Sequence, residues 1–204
     1  MTKFVDVLNE MRDHYQNNIN TGVAIPYYPN LVEDSLGLME ATNKYLVADV
    51  DANELTDNSV QSKLNDLQNQ AKDLATNTAS TIEEKIKKSA KDLKEKNNST
   101  SANSKFKDEL NKIRESVTKQ TVDNINKIFK EAEDIGNAFP ATQNLILVAA
   151  QKISEFINDL FTKIVDYIVG IIKNIIEWIK KAWDSITSFF NGIKTWILHW
   201  FNTK

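Results

Sequence analysis

The stretch ISEFINDLFTKIVDYIVGIIKNIIEWIKKAWDSITSFFNGIKTWILHWF, residues 153–201, places an aromatic ring every eleven positions: Phe156, Tyr167, Trp178, Phe189 and Trp200. Isoleucine keeps the same interval at Ile153, Ile164, Ile175, Ile186 and Ile197. The position after each ring is apolar as well (Ile157, Ile168, Ile179, Phe190, Phe201), and a fourth column reads Leu160, Ile171, Ala182 and Ile193 before ending in Lys204. Polar columns such as Glu155, Asp166, Glu177, Ser188 and His199 run between them. Eleven residues close three helical turns at about 3.67 residues per turn. The columns therefore fall on one stripe that hardly drifts, and the pattern predicts a long amphipathic helix. What covers its stripe is the functional question.

The stripe is wider than a four-column core in its middle repeats, where Val165, Ile172, Ile176 and Trp183 extend it. Aromatics are also in surplus: all four tryptophans lie between 178 and 200, and Trp196 and Leu198 sit off the main columns. From 143 to about 202 no proline intervenes. An unbroken helix of that length would reach about 90 Å at about 1.5 Å per residue. Gly170 and Gly192 are the expected places for a bend, because glycine in a helix interior costs about 1 kcal/mol relative to alanine.

Upstream, the chain reads as a set of amphipathic helices. Residues 2–17 carry Phe4, Val7, Leu8, Met11 and Tyr15 at helical spacing, and Thr2 can cap them. Gly22, Pro26 and Pro29 make 18–30 a loop, with Tyr27-Tyr28 expected to pack back on the bundle. A helix is expected over 31–48, with Leu36, Leu38, Met39, Tyr45 and Leu46 on its apolar side. A longer one comes next over 58–96, whose thin seam runs Val60, Leu64, Leu67, Ala71, Leu74, Thr78, Ile82, Ile86, Ala90 and Leu93. A polar loop at 97–104 leads to a helix over 105–135, so an antiparallel hairpin is expected. Gly136, Phe139 and Pro140 should break the chain again, with Thr142 as the N-cap of the C-terminal arm. The predicted organisation is all-α: a helical part over 1–140 and an amphipathic, aromatic-rich arm over 141–204.

Composition narrows the function classes. A 204-residue chain with three Pro, five Gly and no alternating β-branched runs favours helix. A net charge of −3 provides no global basic field for a nucleic acid. The absence of cysteine excludes disulfides and thiolate metal sites. The N-terminus has no signal-peptide core, so the expectation is a protein that associates with a membrane or leaves the cell by a route without a signal peptide. Asp166, Lys173, Glu177, Lys180, Lys181, Asp184 and Lys194 interrupt the apolar arm, whereas a spanning helix wants about 20 predominantly apolar residues. Charges on one face are instead the mark of an interfacial or bundled helix.

Catalytic chemistry is not expected. His14 and His199 lie at opposite ends of the sequence, and there is no phosphate loop, nucleophile elbow or HExxH motif. Asp49, Asp51, Asn53 and Asp57 match four positions of a calcium loop, but Glu54 stands where glycine is wanted and Val60 where a bidentate Glu is wanted. The segment reads better as a polar turn, and no metal, cofactor or small-molecule substrate is expected.

The eleven-residue period resembles that of exchangeable lipid-surface helices such as those of apolipoproteins and synucleins. That resemblance covers residues 143–202 and implies a stripe that inserts at a membrane surface. The all-helical layout is also similar to that of helical pore-forming toxins. The run from Trp178 to Trp196 resembles the aromatic repeats of phage tail tape-measure proteins, which implies a structural role in a virion, although this chain is far shorter. The leading expectation is a non-catalytic protein whose partner is a lipid bilayer, with permeabilisation as its extension; the alternative is a component of a phage tail or similar assembly, partnered by its own copies as a homo-oligomer. The expected contact face contains Phe156, Ile164, Tyr167, Ile168, Ile171, Ile172, Ile175, Trp178, Ile179, Trp183, Ile186, Phe189, Phe190, Ile193, Trp196, Ile197, Trp200 and Phe201.

Overall fold

The computed structural model describes residues 2–27, 58–95 and 100–202. Among them the chain is all-α, with packed helices and no strand. In chain order the helices are α1 (Thr2–Thr21), α2 (Asn58–Glu95), α3 (Thr100–Ala138), α4 (Gln143–Lys173), α5 (Ile175–Ile179) and α6 (Ala182–Asn202), with a 3-10 turn at Pro140–Thr142. The helix expected over 31–48 and most of the calcium-like segment lie outside the described residues.

The upstream seams form as the spacing predicts, with instructive differences at their ends. In α1, Phe4, Leu8, Met11, Tyr15 and Ile19 are all buried. The helix runs four residues past its predicted end because Ile19 continues the stripe and Asn18 is held by its side chain, which donates to the Ile25 carbonyl at 2.7 Å. It stops at Gly22, whose φ of +71° turns the chain so that Gly22 and Val23 both donate to the Asn18 carbonyl. Only glycine reaches this left-handed geometry without a Cβ penalty. In α2 the seam is buried from Val60 to Leu93, with Ala75 and Ala79 taking the inner position and Leu74 half-buried beside them.

α3 begins at Thr100, inside the segment expected to be loop, because Ala102 already finds a buried place on its inner face. It also runs through Gly136 rather than breaking there. A Cβ at Gly136 would collide with the Phe4 ring, so this glycine marks a close approach of α1 to α3. Thr142 sits in the 3-10 turn and donates to the Phe139 carbonyl, while Gln143 reaches back to the Gly136 carbonyl at 3.1 Å.

The arm differs most from expectation. It is not one helix, and it does not bend at Gly170 or Gly192, which lie within α4 and α6. The first break is at Asn174, which leaves the helical region at φ −126°, ψ 38°. Its N–H is shared between the Gly170 and Ile171 carbonyls at 3.2 Å each. A second break comes at Lys180-Lys181, where the Lys181 N–H reaches only three residues back, to Trp178. Asparagine competes with helix through its own side chain. The glycines, which have nothing within 4 Å of a would-be Cβ, simply ride on the open face.

Two compact units are present, one comprising Met1–Ala71 and Val122–Asn158, the other Lys72–Thr121 and Asp159–Lys204. In the first, Tyr15 is buried and its hydroxyl donates to Glu155 at 3.4 Å. Burial and the Glu155 charge push the Tyr15 hydroxyl far up. Tyr27 packs back on α1 as expected, its ring edge-on to His14 at 5.5 Å, and burial with the nearby Glu10 carboxylate pushes its hydroxyl up to about 12. The second unit contains α5, α6 and the parts of α2, α3 and α4 that face them, and it holds most of the aromatic columns.

Candidate membrane-facing surface

In the second unit the chain doubles back between α4 and α6. Tyr167 stacks on Phe189 with ring centroids 3.9 Å apart and meets the Ser185 hydroxyl at 3.1 Å. Lys163, one turn earlier, lies over the Trp196 ring at 5.3 Å. Partners earlier in α4 thus meet residues later in α6, so the two helices run in opposite directions. α2 and α6 also oppose each other: Lys87 lies over the Trp183 ring at 5.6 Å, and Lys194 donates to Glu83 at 2.6 Å. α4 and α6, the two long helices of the arm, are far more apolar than α1, α2 or α3.

The columns take different depths. Ile164, Ile168, Ile171, Ile175, Ile186, Phe190, Ile193 and Ile197 are buried in this unit, and Phe156 is buried in the other. Tyr167, Ile172, Trp178, Ile179, Phe189, Trp196, Trp200 and Phe201 are half-buried. Trp183 is 56% exposed. At about 98° per residue, the isoleucine column and the two apolar columns on either side of it span about 65°, while the rings sit about 65° from the isoleucine column, outside that span. The isoleucines therefore face the core, and four of the five recurring rings flank it.

The most exposed large apolar side chain of the arm is Ile176, at 66%, which is not among the residues of the expected contact face. Its signal in the sequence was the extra width of the middle repeats. Ile176 lies on α5, between the two breaks, and Trp183, seven positions on, is the second residue of α6, so the two most exposed apolar residues flank the second break. Lys173, Lys180 and Lys181 stand exposed in the same short span. Leu198, 47% exposed, is the other large apolar side chain of α6 left open.

Trp178 is a polar anomaly. It stacks on Phe106 at 5.6 Å, and its indole N–H is buried with no hydrogen-bond partner among the described residues. A buried donor left unsatisfied costs about 1–3 kcal/mol. An indole normally finds a partner when buried, and favours places with one apolar and one wet side.

Glu83 is the charged anchor of the unit. Its side chain is 10% exposed and accepts from Lys87 and Lys194, both at 2.6 Å. Burial works to raise its carboxyl, but the hydrogen bonds and charges of Lys194 and Lys87 outweigh that and hold it below the usual carboxylate range. Lys194 thereby ties α6 to α2. Among the described residues no group of three His, Asp or Glu is placed to hold a metal ion, and His14 is engaged with the Ile25 carbonyl at 2.8 Å. No helix among them is long and apolar enough to cross a membrane.

Comparison with known proteins finds no matching family model, no matching curated protein and no matching solved structure.

Proposed function

We propose that this chain is a non-catalytic, membrane-associating helical protein acting through residues 145–201, with the folded-back arm as its lipid-free form. The observation that carries this reading is the pair of breaks at Asn174 and Lys180-Lys181. They interrupt an eleven-residue register that the sequence continues straight through, and they leave Ile176 and Trp183 in water. A lipid surface would cover the same stripe without requiring the fold-back. It would also give the orphaned Trp178 N–H a headgroup or water partner at the depth where indoles prefer to sit.

In this reading α2 and α3 form the antiparallel hairpin against which the arm is stored, with Lys85 donating to Ser116 across it at 2.8 Å. The stripe enters the headgroup–acyl boundary lying flat. Permeabilisation comes from several copies acting together at that surface.

Flotation with liposomes tests the reading, with tryptophan emission as the second signal, because all four tryptophans lie in the arm. Bound protein floats and its emission shifts to the blue. The double variant Ile176→Ser plus Trp183→Ser removes exposed groups and leaves the core intact, and it should lose most of both effects. A defined soluble oligomer, with no response to any lipid composition, would refute membrane association and favour the tail-assembly alternative. Release of an entrapped dye separates permeabilisation from binding.

A further inference from the structure

A cleft of about 300 Å³ opens beside Trp183 in the second unit. Its walls include Lys91 and Lys94 from the last turns of α2, Lys180 and Lys181 from the second break, and Trp183 and Asp184 from the start of α6. Four ammonium groups thus face one carboxylate. Two of the lysines have partners that water already weakens: Lys180 meets Glu177 at 2.8 Å and Lys91 meets Glu95 at 3.9 Å, all four side chains being more than 60% exposed. Exposed pairs of this kind contribute little, so a better anion can take the lysines from them. Lys94 and Lys181 make no ion pair among the described residues.

We infer that this cleft is the docking site for the phosphate headgroups of an anionic bilayer. It rests on the membrane reading above and gives that reading a place and a lipid class. Two independent features select a bilayer over a soluble anion. The Trp183 ring forms one wall and is 56% exposed, and Ile176, seven positions earlier, is 66% exposed. A small soluble anion needs neither. A bilayer offers phosphate to the lysines and, a few ångströms deeper, an apolar layer for an indole and an isoleucine. Binding then proceeds in order. The lysines bring the turn between α4 and α6 to the surface, Trp183 and Ile176 seat in it, and the rest of the arm is then next to lipid.

The test is vesicle partitioning of the full chain, read by flotation, with two vesicle types: phosphatidylcholine alone, and phosphatidylcholine with phosphatidylserine. The wild type should bind the anionic vesicles at least about tenfold better at low salt, since each lysine near an anionic surface contributes roughly a fivefold gain. Lys94→Glu plus Lys181→Glu should bring anionic binding down to the phosphatidylcholine level. Both positions are exposed, and far-UV circular dichroism checks that the fold is kept. Trp183→Ser should weaken binding to both vesicle types while preserving the preference between them. Equal wild-type binding to the two, or a charge-reversed variant that still prefers anionic vesicles, would overturn the cleft assignment and leave the membrane reading standing. Binding to neither would overturn both. A shift in tryptophan emission with inorganic phosphate alone, at concentrations that leave ionic strength matched, would assign the cleft to a soluble anion and overturn the bilayer assignment.

Discussion

Replacing isoleucine by alanine at two positions ten residues apart should give opposite outcomes. Ile186 is fully buried, whereas Ile176 is 66% exposed. Truncating a buried isoleucine to alanine costs about 2–5 kcal/mol, the transfer term plus the cavity it leaves. For Ile176 only about a third of the side chain is covered, so at about 1.5–3 kcal/mol for a fully buried isoleucine the loss stays below about 1 kcal/mol. Alanine's better helix propensity returns roughly half of that. Urea unfolding followed by tryptophan emission reports on the second unit, where all four tryptophans lie. With a slope of about 1–3 kcal/mol per molar urea, Ile186→Ala should lower the midpoint by about 1 M or more, and Ile176→Ala should barely move it. Vesicle binding should reverse the ranking. Ile176→Ala removes three apolar carbons that would enter the bilayer, at about 0.8 kcal/mol each for the exposed two thirds, and so weakens partitioning by about tenfold or more. Ile186→Ala loosens the stored form and should bind at least as well as wild type. Equal loss of stability in the two variants would refute the assignment of inner and outer columns. Wild-type lipid binding by Ile176→Ala would refute the use of the exposed edge.

Acid should weaken the second unit through Glu83. Its folded carboxyl lies below the unfolded value, so its contribution is fully present above about pH 4.5 and is lost as pH falls through the folded value; Glu83→Gln should cost about 1–2 kcal/mol at neutral pH and flatten the acid limb of a urea-midpoint profile. Gly136→Ala should destabilise the first unit by about 1–2 kcal/mol, because the overlap with the Phe4 ring outweighs alanine's helix propensity, and Phe4→Leu should relieve it in the double variant. Asn174→Ala should favour a straight arm by about 0.5–0.7 kcal/mol, so that half-maximal binding comes at two- to threefold less lipid, while a proline there should hold the break and raise the lipid requirement.

The inward columns were legible because burial follows spacing. Ile164, Ile168, Ile171 and Ile175 are buried at spacings of four and three, and so are Ile186, Phe190, Ile193 and Ile197 after two breaks. The position of those breaks was not legible from composition. Glycine flexibility pointed to Gly170 and Gly192, but glycine on an open face only permits a bend, and nothing at either position gains from one. The chain turns where turning lets two halves of one stripe meet, and that is a property of the whole arm rather than of any residue in it. Gly136 carries the same lesson in reverse. It reads as punctuation, yet its role is the missing Cβ that lets Phe4 approach, and no local pattern signals a ring 132 positions away. The marginal depth of four of the five recurring rings was recoverable from the angles, since a ring about 65° from the isoleucine column lies at the stripe's margin. The lysine cleft was not, because its walls come from α2 and from the turn into α6, which are remote in sequence.

The proposed reading requires one sequence to hold both a broken and a continuous form, and the energies of the two can be compared. In water the fold-back is decided by burial. Nine isoleucine and phenylalanine side chains of the arm are buried in the second unit, each worth about 1.5–3 kcal/mol, against the few helix hydrogen bonds interrupted near Asn174 and Lys181 at about 0.5–1.5 kcal/mol each. The fold-back therefore wins by a wide margin while water is the alternative. Beside a bilayer, on the proposed reading, the balance would be different: the same side chains would be covered by lipid in the opened form, so their burial would cancel. The remaining differences favour opening. In the proposed opened form the interrupted hydrogen bonds would be restored, the Trp178 N–H would gain a partner, and Ile176 and Trp183 would leave water. The Glu83–Lys194 tie and the apolar faces uncovered on α2 and α3 are what oppose it. The α2 face alternates small side chains (Ala75, Thr78, Ala79 and Ala90) with Ile82, Ile86 and Leu93, so the loss on uncovering it is concentrated at those three larger residues.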